Sequence, residues 1–498
     1  MIFKLKKHLN YRIICLSPNK NRRKRCFIVI LNHVNDPVQP LPEFKAFCKI
    51  VSLREALALC CKNKQGISTF DIFCTLFVLV FRQRNFWRWS TSGKDAPAFG
   101  LDTVYRFLNS SFQNWRGFLL RLALKAVAFL VPLTSAKNRR VFVVDDSLYN
   151  KDRSKKLELL SIVYDHVEKR FVRGFRMLTL AFTDGISLIP VDFALLGSQK
   201  ILCEANFDVD GRSHGAKRRS EAIQEAPEVL LSMIDRCRNI IREGSHIVFD
   251  SWFCFPALIR ALTNRKLHVT GRLKKNDTRY LFRRKCKDCL VTLEQLYAKL
   301  SRIPYTVRER QQKENGDIVG SLRVALPSNG EDEAIPVKIV FLQNKRSKDP
   351  QEWLAILTTD LELSEEQVVQ MYAKRWKIEE FFKVAKSLLK LEREFQGRSY
   401  DMLISHATLV CTRYIFLELE RRRTLDVRTC GELFYHCCDE LPDLKVQEAV
   451  ILIFQVLEAF VMKFFSGGKD ILKSCIEYFI SALPASLLDL LPDYACGS

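Results

Sequence analysis

The sequence predicts an α/β fold: a mixed sheet with helices on both faces, interrupted by a β-rich insertion and flanked by N- and C-terminal helical regions. Three observations carry this. From Phe47 to Leu133 apolar residues recur at three- and four-residue steps with few breakers, the spacing of helices. From Lys137 onward the texture changes to short apolar runs closed by turns, which then alternate with helical segments. Between residues 272 and 362 short β-like runs stand between polar turns, after which helical spacing returns.

In chain order, residues 1–45 are rich in Lys and Arg, carry the Pro-containing stretch Pro37 to Pro42, and read as a basic arm. Residues 46–136 read as a helical region in which aromatics and bases interleave: Arg82, Arg84, Phe86, Trp87, Arg88, Trp89, then Tyr105, Arg106, Trp115 and Arg116. Such mixing suits a DNA-binding domain, the alternative being a helical bundle with a charged surface. Residues 137–271 open with a buried strand, Val141 to Val144, ending in Asp145-Asp146-Ser147. Strands Met177 to Phe182 and Ile186 to Leu195 follow, joined by the turn Asp184-Gly185. The polar stretch Asp208 to Arg219 reads as a loop and Glu221 to Arg242 as a helix. Ile247 to Phe249 is a strand ending at Asp250, followed by a helix (Pro256 to Leu262) and a strand (Leu267 to Gly271). The β-rich insertion, 272–362, holds runs at Tyr305 to Glu309, Ile318 to Ala325, Ile335 to Gln343 and Trp353 to Thr358. Residues 363–425 return to the main fold with a helix from Glu365 to Lys390, and 426–498 form a Leu-rich helical region assigned to dimerisation.

Composition narrows the class of partner. The 498-residue chain is 48% hydrophobic and 27% charged, ordinary for a folded protein, yet carries a formal net charge of +23. A surplus of that size attracts polyanions, nucleic acid first among them. The longest uncharged apolar run, Ile72 to Phe81, is far short of the roughly 20 residues that span a bilayer. Ala449 to Phe465 is longer, but Gln455, Glu458 and Lys463 interrupt it, so no membrane partner is expected. The 17 cysteines are scattered, a pattern of free thiols in a reducing cytoplasm. Cys286 and Cys289 alone have metal-ligand spacing and lack two further ligands nearby.

The helix after the insertion carries the densest chemistry. Ser364 and Gln367 have the spacing of a capping box. Beyond it Tyr372, Arg375, Glu379 and Lys386 project, at about 100° per residue, into a sector about 60° wide. Alone, such a stripe could be a solvated face of paired charges. It gains meaning from Asp145 and Asp250, each closing an apolar strand. Two strand-end carboxylates and a helix carboxylate supply the hard oxygen donors that a pair of Mg²⁺ ions requires. Two-metal sites of this kind stabilise in-line displacement at phosphorus.

The pattern Tyr372-x2-Arg375-x3-Glu379-x6-Lys386 resembles the signature of the insertion-sequence-four family of DDE transposases. The local wording Arg375-Trp376-Lys377-Ile378-Glu379-Glu380-Phe381 and Val248-Phe249-Asp250 resemble it too, and the likeness spans about residues 139–425. The resemblance implies a ribonuclease-H-like core interrupted by a β-rich insertion, with Asp145, Asp250 and Glu379 holding two Mg²⁺ ions, for which Mn²⁺ could substitute. At the first position the family commonly shows Asp, any residue, then Thr or Ser. That fits Asp145-Asp146-Ser147 and selects Asp145, with Asp146 as the alternative. Tyr372, Arg375 and Lys386 would contact phosphates near the transposon end. Trp353 resembles a Trp that stacks on a flipped base, the alternative being a core Trp in a strand.

By that resemblance the chain is a bacterial, cytoplasmic DNA transposase. It would cut double-stranded DNA at an element's ends and join it to target DNA, through a hairpin intermediate, as a homodimer on DNA. Two other readings stay open: a DNA-binding descendant that no longer catalyses, and a ribonuclease-H-fold nuclease that hydrolyses without joining strands.

Overall fold

The computed structural model describes residues 42–61, 66–91, 99–134, 140–205, 209–284, 287–300, 318–328, 333–343, 352–395, 397–424 and 428–438, with isolated positions 474 and 478. Residues 1–41 of the basic arm, the run Tyr305 to Glu309, Cys286 and most of the C-terminal region lie outside them, while Pro42 to Lys45, read as the end of the arm, open the first helix.

Six helices come first: α1 (Pro42–Ile50), α2 (Leu53–Cys60), α3 (Thr69–Val78), α4 (Phe86–Thr91), α5 (Leu101–Leu108) and α6 (Trp115–Leu130). Two of their starts have a visible cause. Ser68 accepts a hydrogen bond from the Phe70 amide, and Asn114 one from the Gly117 amide, each satisfying a donor the helix itself leaves open. The aromatics expected to face DNA are largely core. Phe86, Trp89 and Trp115 are buried, and the Arg82 guanidinium lies 4.9 Å from the Trp89 ring centroid. Arg116 pairs with Glu221 and lies 3.6 Å from Asp192. Trp87 alone of the four sequence-selected indoles and phenyls in that group is well exposed.

The sheet begins with β1 (Val141–Asn150), β2 (Ser161–Asp165), β3 (Arg170–Thr183) and β4 (Leu188–Leu196). Then come α7 (His214–Ala222), α8 (Ala226–Arg236), β5 (His246–Phe249), α9 (Pro256–Thr263) and β6 (His268–Arg272). β1 runs antiparallel to β3, β3 antiparallel to β4, and β5 and β6 lie parallel to β1 in the order β4-β3-β1-β5-β6. This is the ribonuclease-H-like arrangement. Every residue of β4 and β5 is buried, as expected of strands covered on both faces.

Several boundaries differ from the sequence expectation. β1 does not stop at Val144 but continues through Asp145 to Asn150, because the long β3 supplies paired backbone as far as Asn150↔Gly174. β2 was not anticipated; it pairs with the outer end of β3. The stretch read as a loop holds the start of α7, whose Ser213 cap accepts from the Ala216 amide. The expected helix Glu221 to Arg242 is split: Glu221 and Ala222 close α7, and α8, which Pro227 helps to start, ends at Arg236.

The insertion contains β7 (Arg279–Arg284), β8 (Lys287–Thr292), α10 (Leu293–Leu300), β9 (Ile318–Leu326), β10 (Ile335–Gln343) and β11 (Trp353–Thr358). It is not a separate layer. β11 pairs antiparallel with β6 through Ile356↔Arg272, so the same sheet continues as β11-β10-β9-β7-β8. The edge of β6 would otherwise present unpaired backbone donors and acceptors, and β11 satisfies them.

The chain closes with α12 (Glu365–Ala373), α13 (Trp376–Ser387) and α14 (Tyr400–Arg423). The capping box at Ser364 and Gln367 forms as the spacing predicts. The single helix expected from Glu365 to Lys390 is broken at Lys374 and Arg375, where the Arg375 amide bonds Tyr372, three residues back instead of four. α14, long and apolar enough to cross a membrane, is buried from Tyr400 to Glu420 and packs on α6, β4 and α13. Its all-round apolarity is that of a central core helix.

Candidate carboxylate site

The register of the parallel strands builds the site. Val144 of β1 pairs with Phe249 of β5, and Phe249 pairs with Gly271 of β6. One residue further on, the three strands present Asp145, Asp250 and Arg272 in a row at the same end of the sheet. The Asp250 charge there bears on both Asp145 and Asp146. Asp250 is fixed by its own carboxylate, whose Oδ1 accepts from the Trp252 amide at 2.8 Å in a tight turn.

Arg375 joins this row to α13. Its Nη1 donates to Asp145 Oδ2 at 3.0 Å and its Nη2 to Glu379 Oε1 at 2.5 Å. One guanidinium thus bridges the first expected carboxylate and the third, 234 residues apart in the chain. Asp146, next along β1, points to the opposite face and pairs with Arg176. Of the two alternatives at the first position, Asp145 therefore stands on the Glu379 side and Asp146 does not.

The electrostatics follow from crowding. Burial pushes the Asp145 carboxyl up to about 7; Arg375 opposes the shift, and Asp250 and Asp146 add to it. Burial also raises Asp146, against the pull of Arg176. Among the described residues no three His, Cys, Asp or Glu side chains stand together around a single ion position. The donor chemistry nonetheless fits a divalent ion: the groups are hard oxygens, half-buried, and destabilised by each other's negative charge. Arg375 supplies part of the missing positive charge.

The other expected residues are placed as follows. Tyr372 is half-buried beside Arg375, whose guanidinium lies 5.8 Å from its ring, and burial raises its hydroxyl pKa. Lys386 donates to the Leu148 carbonyl of β1 and lies 3.5 Å from Glu392, so it ties α13 to β1. Both Arg375 and Lys386, expected to hold phosphates, are engaged within the protein. Trp353 is the core alternative: 7% exposed, it stacks on Tyr297 at 4.6 Å, meets Phe341 edge-on, and has Lys275 Nζ 4.4 Å from its ring. A base could not reach its faces in this arrangement.

Sequence reasoning passed over four residues that frame the same sheet end. Trp252 and Trp376 are 58% and 54% exposed, two residues after Asp250 and three before Glu379. Lys274 Nζ sits 4.8 Å from the Trp252 ring, and Arg272, exposed, adjoins Asp250 by register. The signal was available as a Trp near two of the three carboxylates, Asp250 and Glu379, but exposure is a property of packing.

Two family models and a solved structure resemble the chain. Residues 70–287 match the family model described as DDE superfamily endonuclease, a span that includes Asp145 and Asp250. Residues 212–415 match the family model described as transposase DDE domain, a span that includes Asp250 and Glu379. No curated protein matches the chain. Among solved structures, a piggyBac transposase synaptic complex with hairpin DNA aligns at 11% identity and a TM-score of 0.41. That alignment covers 93% of this chain and 87% of the other. From α3 to α14, then, the chain is similar in sequence to DDE-type endonuclease and transposase domains.

Proposed function

We propose that the chain is a DNA transposase that cuts phosphodiester bonds at the ends of a mobile element and joins them to target DNA, in the manner of the insertion-sequence-four family. The observation that carries the reading is the single row of Asp145 and Asp250 at adjacent strand ends, linked through Arg375 to Glu379, within the residues that match DDE-type domains. Asp145, Asp250 and Glu379 would hold two divalent ions, Mg²⁺ or Mn²⁺. When bound, such ions supply a nucleophile at neutral pH and neutralise charge on the phosphorus under attack.

The chain's own residues do the positioning. β1 and β5 hold two carboxylates on rigid backbone, and α13 brings the third against β1. Arg272, Lys274 and Tyr372 border the row and suit contacts to DNA phosphates, which set register without reading sequence. Trp252 and Trp376 offer exposed indole faces for an unpaired base. Double-stranded DNA is the partner, bound as a homodimer, since two ends must be paired before they are joined. The order proposed is hydrolysis at the element's end, attack of the freed 3′-hydroxyl on the opposite strand to give a hairpin, reopening, and attack on target DNA.

The test uses linear DNA carrying the gene and both flanks, purified full-length protein and Mg²⁺, with wild type and Glu379→Gln resolved on denaturing gels. Discrete cuts at two inverted-repeat positions, lost in the variant while DNA binding persists, are the expected result. Covalent transfer of a labelled end into plasmid DNA separates joining from hydrolysis. Equal cleavage by the variant refutes the assignment of Glu379.

A further inference from the structure

The Arg375 guanidinium spends both arms of its fork on the carboxylates that the proposed function gives to metal. Nη1 takes Asp145 Oδ2 and Nη2 takes Glu379 Oε1, so two of the oxygens an ion would need already accept hydrogen bonds from a cation. The bridge is half-buried: the Arg375 side chain is 16% exposed and that of Asp145 15%. A divalent ion and this guanidinium repel each other and compete for the same oxygens. Among the described residues no metal-ligating group of three is gathered while the bridge is in place. A DNA phosphate is the one reactant that offers a guanidinium an equivalent two-oxygen partner.

We infer that Arg375 is a tethered counter-cation, which holds Asp145 and Glu379 in the absence of DNA and surrenders them to divalent metal when a DNA phosphate takes over its fork. Metal loading is then coupled to substrate: the ion binds weakly to the free protein and tightly to the DNA complex. The coupling is reciprocal, so metal also tightens DNA binding by the same factor. The inference rests on the proposed assignment of Asp145 and Glu379 as metal ligands. It assigns Arg375 a positioning role before the chemistry begins.

The experiment measures Mn²⁺ affinity by electron paramagnetic resonance on the full chain, with and without a duplex from the flank of its own gene. Wild type, Arg375→Gln and Arg375→Lys are compared. Without DNA, Arg375→Gln is expected to bind Mn²⁺ at least about 10-fold more tightly than wild type, with Arg375→Lys, which can reach only one carboxylate, between them. Adding DNA raises the wild-type affinity and leaves that of Arg375→Gln nearly unchanged. Thermal melting gives a second reading: Arg375→Gln melts lower than wild type without metal and recovers more on adding Mn²⁺. Equal or weaker Mn²⁺ binding by Arg375→Gln, with binding in both proteins lost on adding Glu379→Gln, overturns the inference alone. Absence of Glu379-dependent Mn²⁺ binding from every protein, with and without DNA, overturns the metal assignment and the inference with it.

Discussion

Replacing Arg413 by methionine should destabilise the protein severely, and replacing its partner as well should restore about half of the loss. Arg413 lies on α14 and is fully buried. Its Nη1 and Nη2 bond the two oxygens of Glu394 at 2.6 and 2.9 Å, while Nε donates to the Phe77 carbonyl at 3.0 Å and Nη2 also to that of Leu76. One side chain thus pins the end of α3, the central helix and the segment that follows the Glu379 helix. Arg413→Met leaves the 2%-exposed Glu394 carboxylate facing only His406, 3.4 Å away. Breaking a buried pair from one side costs about 3–5 kcal/mol. In Arg413→Met/Glu394→Leu the stranded charge is gone; the Phe77 carbonyl and His406 each lose a partner while Leu76 keeps the Leu79 amide, for a net loss of about 1–3 kcal/mol. Urea unfolding reads the difference. With a slope of about 3 kcal/mol per molar, the single variant shifts the midpoint by about 1–1.7 M and the double variant by less. A double variant no more stable than the single one would refute the reasoning, since the penalty would then not come from an uncompensated charge.

The same pair sets a pH dependence. Burial alone would raise Glu394, but Arg413 and His406 hold it down at about 2, against 4.5 for a free carboxyl. A depressed folded value means stability that is present above pH 4.5 and lost as pH falls toward 2, about 3 kcal/mol in all. Urea midpoints measured across that window should fall more steeply for wild type than for Glu394→Gln. Gly271→Ala should disturb the carboxylate row, because the added Cβ would stand 2.8 Å from Cys254 Sγ and 2.9 Å from the Phe249 ring. Overpacking of that kind costs about 1–3 kcal/mol and displaces the residue before Asp250, so cleavage should fall more than DNA binding. Trp252→Ala should weaken binding to DNA with unpaired ends by about 1–3 kcal/mol and leave fully paired duplex nearly unaffected, as read by fluorescence anisotropy. Equal losses on both substrates would mean the indole does not stack.

Local pattern alone reached a good part of the architecture. Strand β11, the capping box at Ser364 and the turn at Asp184-Gly185 all form where their residues predict, because each is set by neighbours in the chain. Strand ends were less legible. Asp145 to Ser147 look like the close of a strand because they are polar, yet β3 pairs with them and keeps the chain extended to Asn150. The helix carrying Glu379 was read as unbroken, because periodicity records the spacing of apolar residues and not a three-residue bond at Arg375.

The sequence by itself determined the residue types of the site and their order: two carboxylates after apolar strands, a third on a helix, and a strongly basic chain around them. Tertiary structure decided which of these meet. The step from Phe249 to Asp250 lies beside the step from Val144 to Asp145 only because β1 and β5 pair in that register. The choice between Asp145 and Asp146 turns on which side of the sheet faces α13, and Arg375 closes a bridge between strands and helix that no local spacing encodes. Trp353 went to the core for the same reason, since the stacking partners Tyr297 and Phe341 come from other elements. Burial and pairing across long separations are sums over the whole fold, whereas a motif reports only its own few residues.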